Sequence, residues 1–90
     1  MKIVSVVNRD GGPIRAQATD VVLDVTGSAF SEPLAADWTP EGATASEELK
    51  APERLSDTKL RVTVNTGPAG TARLKISAPG GSTSVDVKVE

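Results

Sequence analysis

Residues 58–90 read TKLRVTVNTGPAGTARLKISAPGGSTSVDVKVE, and apolar side chains fall on every second position in three successive runs. Leu60, Val62 and Val64 alternate with Arg61, Thr63 and Asn65. Leu74 and Ile76 alternate with Arg73, Lys75 and Ser77. Val85, Val87 and Val89 alternate with Asp86 and Lys88. A period of two puts one set of side chains on each face of an extended backbone, so these are half-buried strands with one wet face. TGPAG and APGGS separate them with the Gly and Pro that tight turns use. The rest of the chain has to complete sheets that cover the apolar faces.

Ninety residues make one domain, able to bury roughly 60–65% of the surface its unfolded form exposes. That is enough for one core and leaves no second lobe to frame a cleft. One Phe, one Trp, one Met and no Tyr leave a core of Val, Leu, Ile and Ala, which suits pleated sheets. There is no Cys, so no disulfide braces the fold. There is no His, the commonest general base and transition-metal ligand. No apolar run approaches the ~20 residues that span a bilayer, and MKIVSVVNRD lacks a signal-peptide pattern. A chain starting at this Met is expected to fold in the cytoplasm of its host.

The formal charge of −2 is unevenly spread. Residues 1–30 balance. Residues 31–57 hold seven acids against Lys50 and Arg54, a net of −5; residues 58–90 hold five bases against Asp86 and Glu90, a net of +3. Solvated surface charge is the plain reading, and complementary patches between neighbouring copies the sharper one.

Along the chain, Lys2–Val7 is a first strand and residues 8–13 (NRDGGP) a turn cluster. Ile14–Asp20 is extended and weakly patterned, a second piece of the first strand. Val21–Thr26 is a strand with Val21, Leu23 and Val25 on one face. Leu34–Thr39 is expected as a strand carrying Trp38, followed by a turn at Pro40-Glu41-Gly42. Ala43–Glu53 has helix-friendly composition, and Ser46-Glu47-Glu48 could start a helical turn. In an all-β context it reads as an irregular connection with a short strand or single turn. About seven short strands at this spacing indicate a β-sandwich.

The run DVVLDVTGSAF at 20–30 resembles a signature of IPT/TIG-type immunoglobulin-like domains, in which a strand ends in Gly and a Phe drops into the core shortly after. Residues 58–90 resemble the closing pattern of that family, with Gly70-Thr71 and Pro79-Gly80-Gly81-Ser82 at its turns. Asn65-Thr66 stands where the family often has Pro. The resemblance implies an all-β immunoglobulin-like sandwich over residues 1–90. It places strands 2–7, 21–26 and 59–65 in one sheet, and 71–77, 83–89 and the Trp38 strand in the other. Arg73, Lys75 and Lys88 then share one outer face, with Lys59 and Arg61 on the opposite one near Asp24.

Candidate chemistry is sparse. Glu47 and Glu48 are adjacent, so they do not face each other in a helix or a strand, and no base accompanies them. Asp10-Gly11-Gly12 offers one acid where a Ca²⁺ loop needs six or more oxygens. The two Gly-containing loops open strands, whereas a phosphate cradle opens a helix. The Rel-type transcription factors of the resembled family bind DNA, but here five cations divide between two faces without interleaved aromatics. No catalytic residue, cofactor or metal is assigned, and neither a nucleic acid nor a membrane is expected as partner.

The resemblance therefore implies a non-catalytic structural or binding module, similar to the decoration proteins of tailed-phage particles. The expected partner is a capsid or other virion protein, with a second copy of the chain as another candidate, and the expected location is the virion. Open sheet edges are one route to contact. Trp38, flanked by polar and turn residues, is a candidate interface anchor or a core residue; Ile14, Arg9 and Arg15 are the other contact candidates. The alternative is a carbohydrate- or cell-surface-binding module, which usually presents two or three aromatic platforms.

Overall fold

Val, Leu and Ile at alternate positions give each strand one apolar face, and two such faces are stable when they bury each other. In the computed structural model, which describes residues 1–90, this yields eight strands and no helix. They are β1 (Lys2–Asn8), β2 (Val21–Ser28), β3 (Ala35–Thr39), β4 (Glu47–Glu48), β5 (Glu53–Ser56), β6 (Lys59–Val64), β7 (Gly70–Ala78) and β8 (Gly81–Val89). They form two four-stranded antiparallel sheets, ordered β1-β2-β6-β5 and β4-β3-β7-β8.

One cluster of 15 buried residues lies between the sheets. Leu23, Val25, Leu60, Val62 and Val64 come from the first; Ala36, Trp38, Ala72, Leu74, Ile76, Val87 and Val89 come from the second. The alternation expected for β6, β7 and β8 holds residue by residue, with Arg61, Thr63, Arg73, Lys75, Asp86 and Lys88 turned away from the core. The architecture is all-β and sandwich-like.

After β1 the chain changes sheets. The Glu90 N–H donates to the Ile14 carbonyl and the Ala16 N–H to the Glu90 carbonyl, both at 2.7 Å. This is one step of parallel pairing that sets Arg15 opposite Glu90, at the end of β8. Of the run expected to be extended as far as Asp20, only Ile14–Ala16 lies alongside a strand, at the other sheet, where it forms a strap over one end of the core; beyond it the chain turns, with Gln17 and Asp20 at positive φ. Ile14 is buried beneath it. The following residues are held by the end of β6, where Thr66 N–H donates to the Ala18 carbonyl.

The acidic middle of the chain differs most from expectation. Glu47-Glu48 takes the short-strand alternative as β4, pairing with Trp38 and Asp37, and not the helical turn. An isolated helical turn is costly to nucleate, whereas an extended pair finds ready backbone partners on β3. Glu53–Ser56 is a strand, β5, which the expected set of about seven did not include. Its Arg54 reaches across to donate from Nε to the Phe30 carbonyl at 2.9 Å.

Candidate docking surface

Antiparallel register lines up outward residues across the first sheet. Val7 lies opposite Asp24, Asp24 opposite Arg61, and Arg61 opposite Glu53, so β1, β2, β6 and β5 each contribute one residue to a transverse row. In the middle of the row, Arg61 Nε donates to Asp24 Oδ1 at 3.0 Å. The pair is about one-third exposed, so it orients the two side chains and contributes little stability.

Two apolar side chains, Val7 and Leu55, lie beside this ion pair. Val4, Val7 and Leu55 are the exposed large hydrophobic residues of the chain, and all three belong to the first sheet. Irregularities in two strands put them there. In β1 an extra residue sits between Ile3 and Ser5, so Val4 is bulged out while Ile3 and Val6 keep facing the core. In β5 the register shifts between Arg54 and Ser56, which releases Leu55 outward. Val7, Leu55, Asp24, Thr26, Lys59 and Arg61 line one shallow hollow on this face. The next outward position after Val7 is Arg9, whose backbone N–H donates to Val22. The face thus carries exposed apolar side chains beside a central ion pair, with a basic residue at one corner.

Two of the four contact candidates are corrected by their burial. Trp38 is 0% exposed and packs in the core of the second sheet, so it cannot anchor a partner. This is the core placement that stood beside the anchor reading, and the polar flanks, Asp37 and Thr39, are the outward neighbours of an inward residue in a strand. Ile14 is 7% exposed, sealed under the strap. Arg9 and Arg15 have exposed side chains. Arg9 borders the apolar face, whereas the Arg15 carbonyl accepts the Thr66 hydroxyl at 2.7 Å and its side chain projects from the strap.

Asn8 Oδ1 accepts the Asp10 N–H at 3.1 Å and the Asn8 carbonyl accepts the Gly11 N–H at 2.9 Å, so this turn's oxygens serve its own backbone. Among the cations, Arg61 is paired with Asp24 and Arg73 lies 3.4 Å from Asp86 on the opposite sheet. No group of three or more Asp or Glu side chains converges closely enough to hold a metal ion. No helix is long and apolar enough to cross a membrane.

Val4 and Val7 did leave a signal in the sequence. Ile3-Val4 and Val6-Val7 are doubled apolar pairs, which a strictly alternating strand cannot bury on one face. Leu55 left none, because its strand is short and framed by Pro52 and Asp57. No protein-family model, curated protein or solved structure matches this chain.

Proposed function

We propose that the chain is an immunoglobulin-like binding module that docks on a protein partner and performs no catalysis. Its strand order supports the immunoglobulin-like part. The orders β1-β2-β6-β5 and β4-β3-β7-β8 correspond to the ABED and CFG sheets of that sandwich, with β4 as an added strand beside C. The crossing of the first strand from β2 to the end of β8 adds to the likeness.

The docking reading is carried by one observation: Val7 and Leu55 are exposed beside the Asp24–Arg61 pair, with Val4 exposed on the same sheet. Capsid decoration on a tailed-phage particle is the setting that fits best, since such a protein needs a compact β-domain with one adhesive face. The resemblance to immunoglobulin-like decoration proteins supports this setting. The carbohydrate-binding alternative is disfavoured because both aromatic residues, Phe30 and Trp38, are buried and leave no ring for a sugar to stack on.

Co-sedimentation with assembled capsid shells from the same source tests the proposal. The unaltered protein should saturate the shells. Val7→Asp and Leu55→Asp should weaken binding about 30-fold each, as expected for hot-spot losses of ~2 kcal/mol, with circular dichroism unchanged. Failure of the unaltered protein to sediment, or full binding by both variants, overturns the docking reading. Saturable binding on a glycan array in place of sedimentation moves the function to the alternative.

A further inference from the structure

The four sheet edges are unequally protected. Edge strands expose unpaired backbone N–H and C=O groups, and proteins blunt them with bulges, Pro or shortness. Here β1 carries a bulge at Val4, β5 carries a register shift at Leu55, and β4 is two residues long. The fourth edge, β8, is different. It runs nine residues, contains no Pro, and pairs with β7 from Gly70↔Val89 to Ala78↔Gly81 without a single register shift.

The open groups on β8 are identifiable. Glu90 points its N–H and C=O away from β7, onto Ile14 and Ala16 of the strap. Backbone polarity alternates along an antiparallel strand, so Lys88, Asp86, Ser84 and Ser82 point theirs the same way. Beyond the strap no strand of the chain hydrogen-bonds to them, although β1 of the other sheet packs beside β8. On the inner face, Thr83 and Val85 are left half-buried at this margin, in contrast to Val87 and Val89.

We propose that the β8 edge pairs with the β8 edge of a second copy, antiparallel about a two-fold axis at Ser84. With this axis the edge is self-complementary. With the axis at Ser84, Ser84 meets Ser84 and Ser82 meets Asp86 of the other copy. Each pair exchanges both backbone hydrogen bonds, and the Ser82 hydroxyl can donate to the Asp86 carboxylate. Moving the axis to Asp86 sets two carboxylates against each other. Moving it to Val87 requires the Glu90 groups that Ile14 and Ala16 already occupy. Moving it to Val85 drives the Pro79-Gly80 turn of one copy into the strap of the other. The result is a continuous eight-stranded sheet built from two β4-β3-β7-β8 sheets, with Thr83 and Val85 covered. This surface belongs to the opposite sheet from Val7 and Leu55, so the inference stands independently of the docking reading.

The absence of Cys allows a direct test. Across the axis the two Ser84 Cα atoms would be about 5.5 Å apart, within disulfide range, whereas two Ser82 Cα atoms would be about 14 Å apart. Under mild oxidation Ser84→Cys should form a covalent dimer at least tenfold faster than Ser82→Cys. By sedimentation equilibrium the unaltered protein should show a monomer–dimer equilibrium below about 1 mM. Ser84→Lys, which sets two ammonium groups on the axis, should be monomeric with unchanged circular dichroism. If Ser84→Lys does not fold, the cysteine comparison alone decides. A strictly monomeric unaltered protein overturns the proposal, as does equal cross-linking of the two cysteine variants. Neither result bears on shell binding, which the Val7 and Leu55 variants read separately.

Discussion

The Thr66 hydroxyl donates to the Arg15 carbonyl at 2.7 Å, joining positions 51 residues apart. The same oxygen accepts the Ala18 N–H at 3.0 Å, and the Thr66 N–H donates to the Ala18 carbonyl at 2.9 Å. One fully buried side chain thereby ties the strap to the end of β6, while Ile14 and Ala16 tie it to the end of β8. Thr66→Val keeps the shape and leaves the Arg15 carbonyl and the Ala18 N–H without this partner. A buried polar group left unpaired costs about 1–3 kcal/mol, so urea unfolding should show a loss in that range. Thr66→Ser, which keeps the hydroxyl, should lose less.

Gly27 is wedged between Phe30 and the distant Lys2 backbone, which makes a second lock. A Cβ on Gly27 would lie 2.7 Å from Phe30 Cζ and would also collide with the Lys2 carbonyl. Phe30 is 1% exposed, so its ring has no room to withdraw. Gly27→Ala is therefore expected to destabilise by roughly 3 kcal/mol or more, at the upper end of single-substitution effects. Shrinking the ring with Phe30→Leu in the same chain should not restore stability, because the Lys2 carbonyl still blocks the site. Recovery of the thermal midpoint in the double variant would show that the ring is the only obstacle.

The extent to which the fold was legible in the sequence depended on patterning. β6, β7 and β8 each announce one buried face through unbroken alternation, and the buried set Val62, Leu74 and Val87 follows directly. The TGSAF run likewise contains both partners of the Gly27–Phe30 contact. The strap, β4 and β5 were obscure for the opposite reason. Ile14–Ala16, Glu47–Glu48 and Glu53–Ser56 are held by backbone hydrogen bonds to distant strands, and such bonds leave little trace in residue type. Thr66 looked like a departure from a family pattern, although the strap depends on it. The exposure of Val4, Val7 and Leu55 depends on two local irregularities, and the doubled apolar pairs of β1 pointed to only one of them.

Trp38 fills the centre of the core with its indole Nε1–H buried and unpartnered. Two effects then oppose each other on truncation. Trp38→Ala opens a large cavity and should cost about 3–5 kcal/mol. Trp38→Phe keeps most of the aromatic contact and removes the unpaired donor, so its cost should be smaller by about 1–3 kcal/mol. As Trp38 is the single tryptophan, intrinsic fluorescence reports this interior alone. Emission should be blue-shifted, resist iodide quenching, and stay unchanged when a partner docks. A red shift or strong quenching would contradict the burial.

The β7–β8 hairpin supplies an internal control in adjacent glycines. Gly80 follows Pro79 at the turn with φ +88°, and Gly81 begins β8 outside the left-handed region. A Cβ at either position would meet open space, so sterics with neighbours do not separate them. Backbone conformation does. Gly80→Ala should cost about 1–2 kcal/mol, the penalty for an L-residue held at positive φ. Gly81→Ala should be near neutral or slightly stabilising, since it restricts the unfolded chain without straining the strand. Parallel thermal melts of the two variants measure this difference. Equal costs would mean that the turn is not held at positive φ in solution, and the register that carries Ser82, Ser84 and Asp86 to the open edge would have to shift with it.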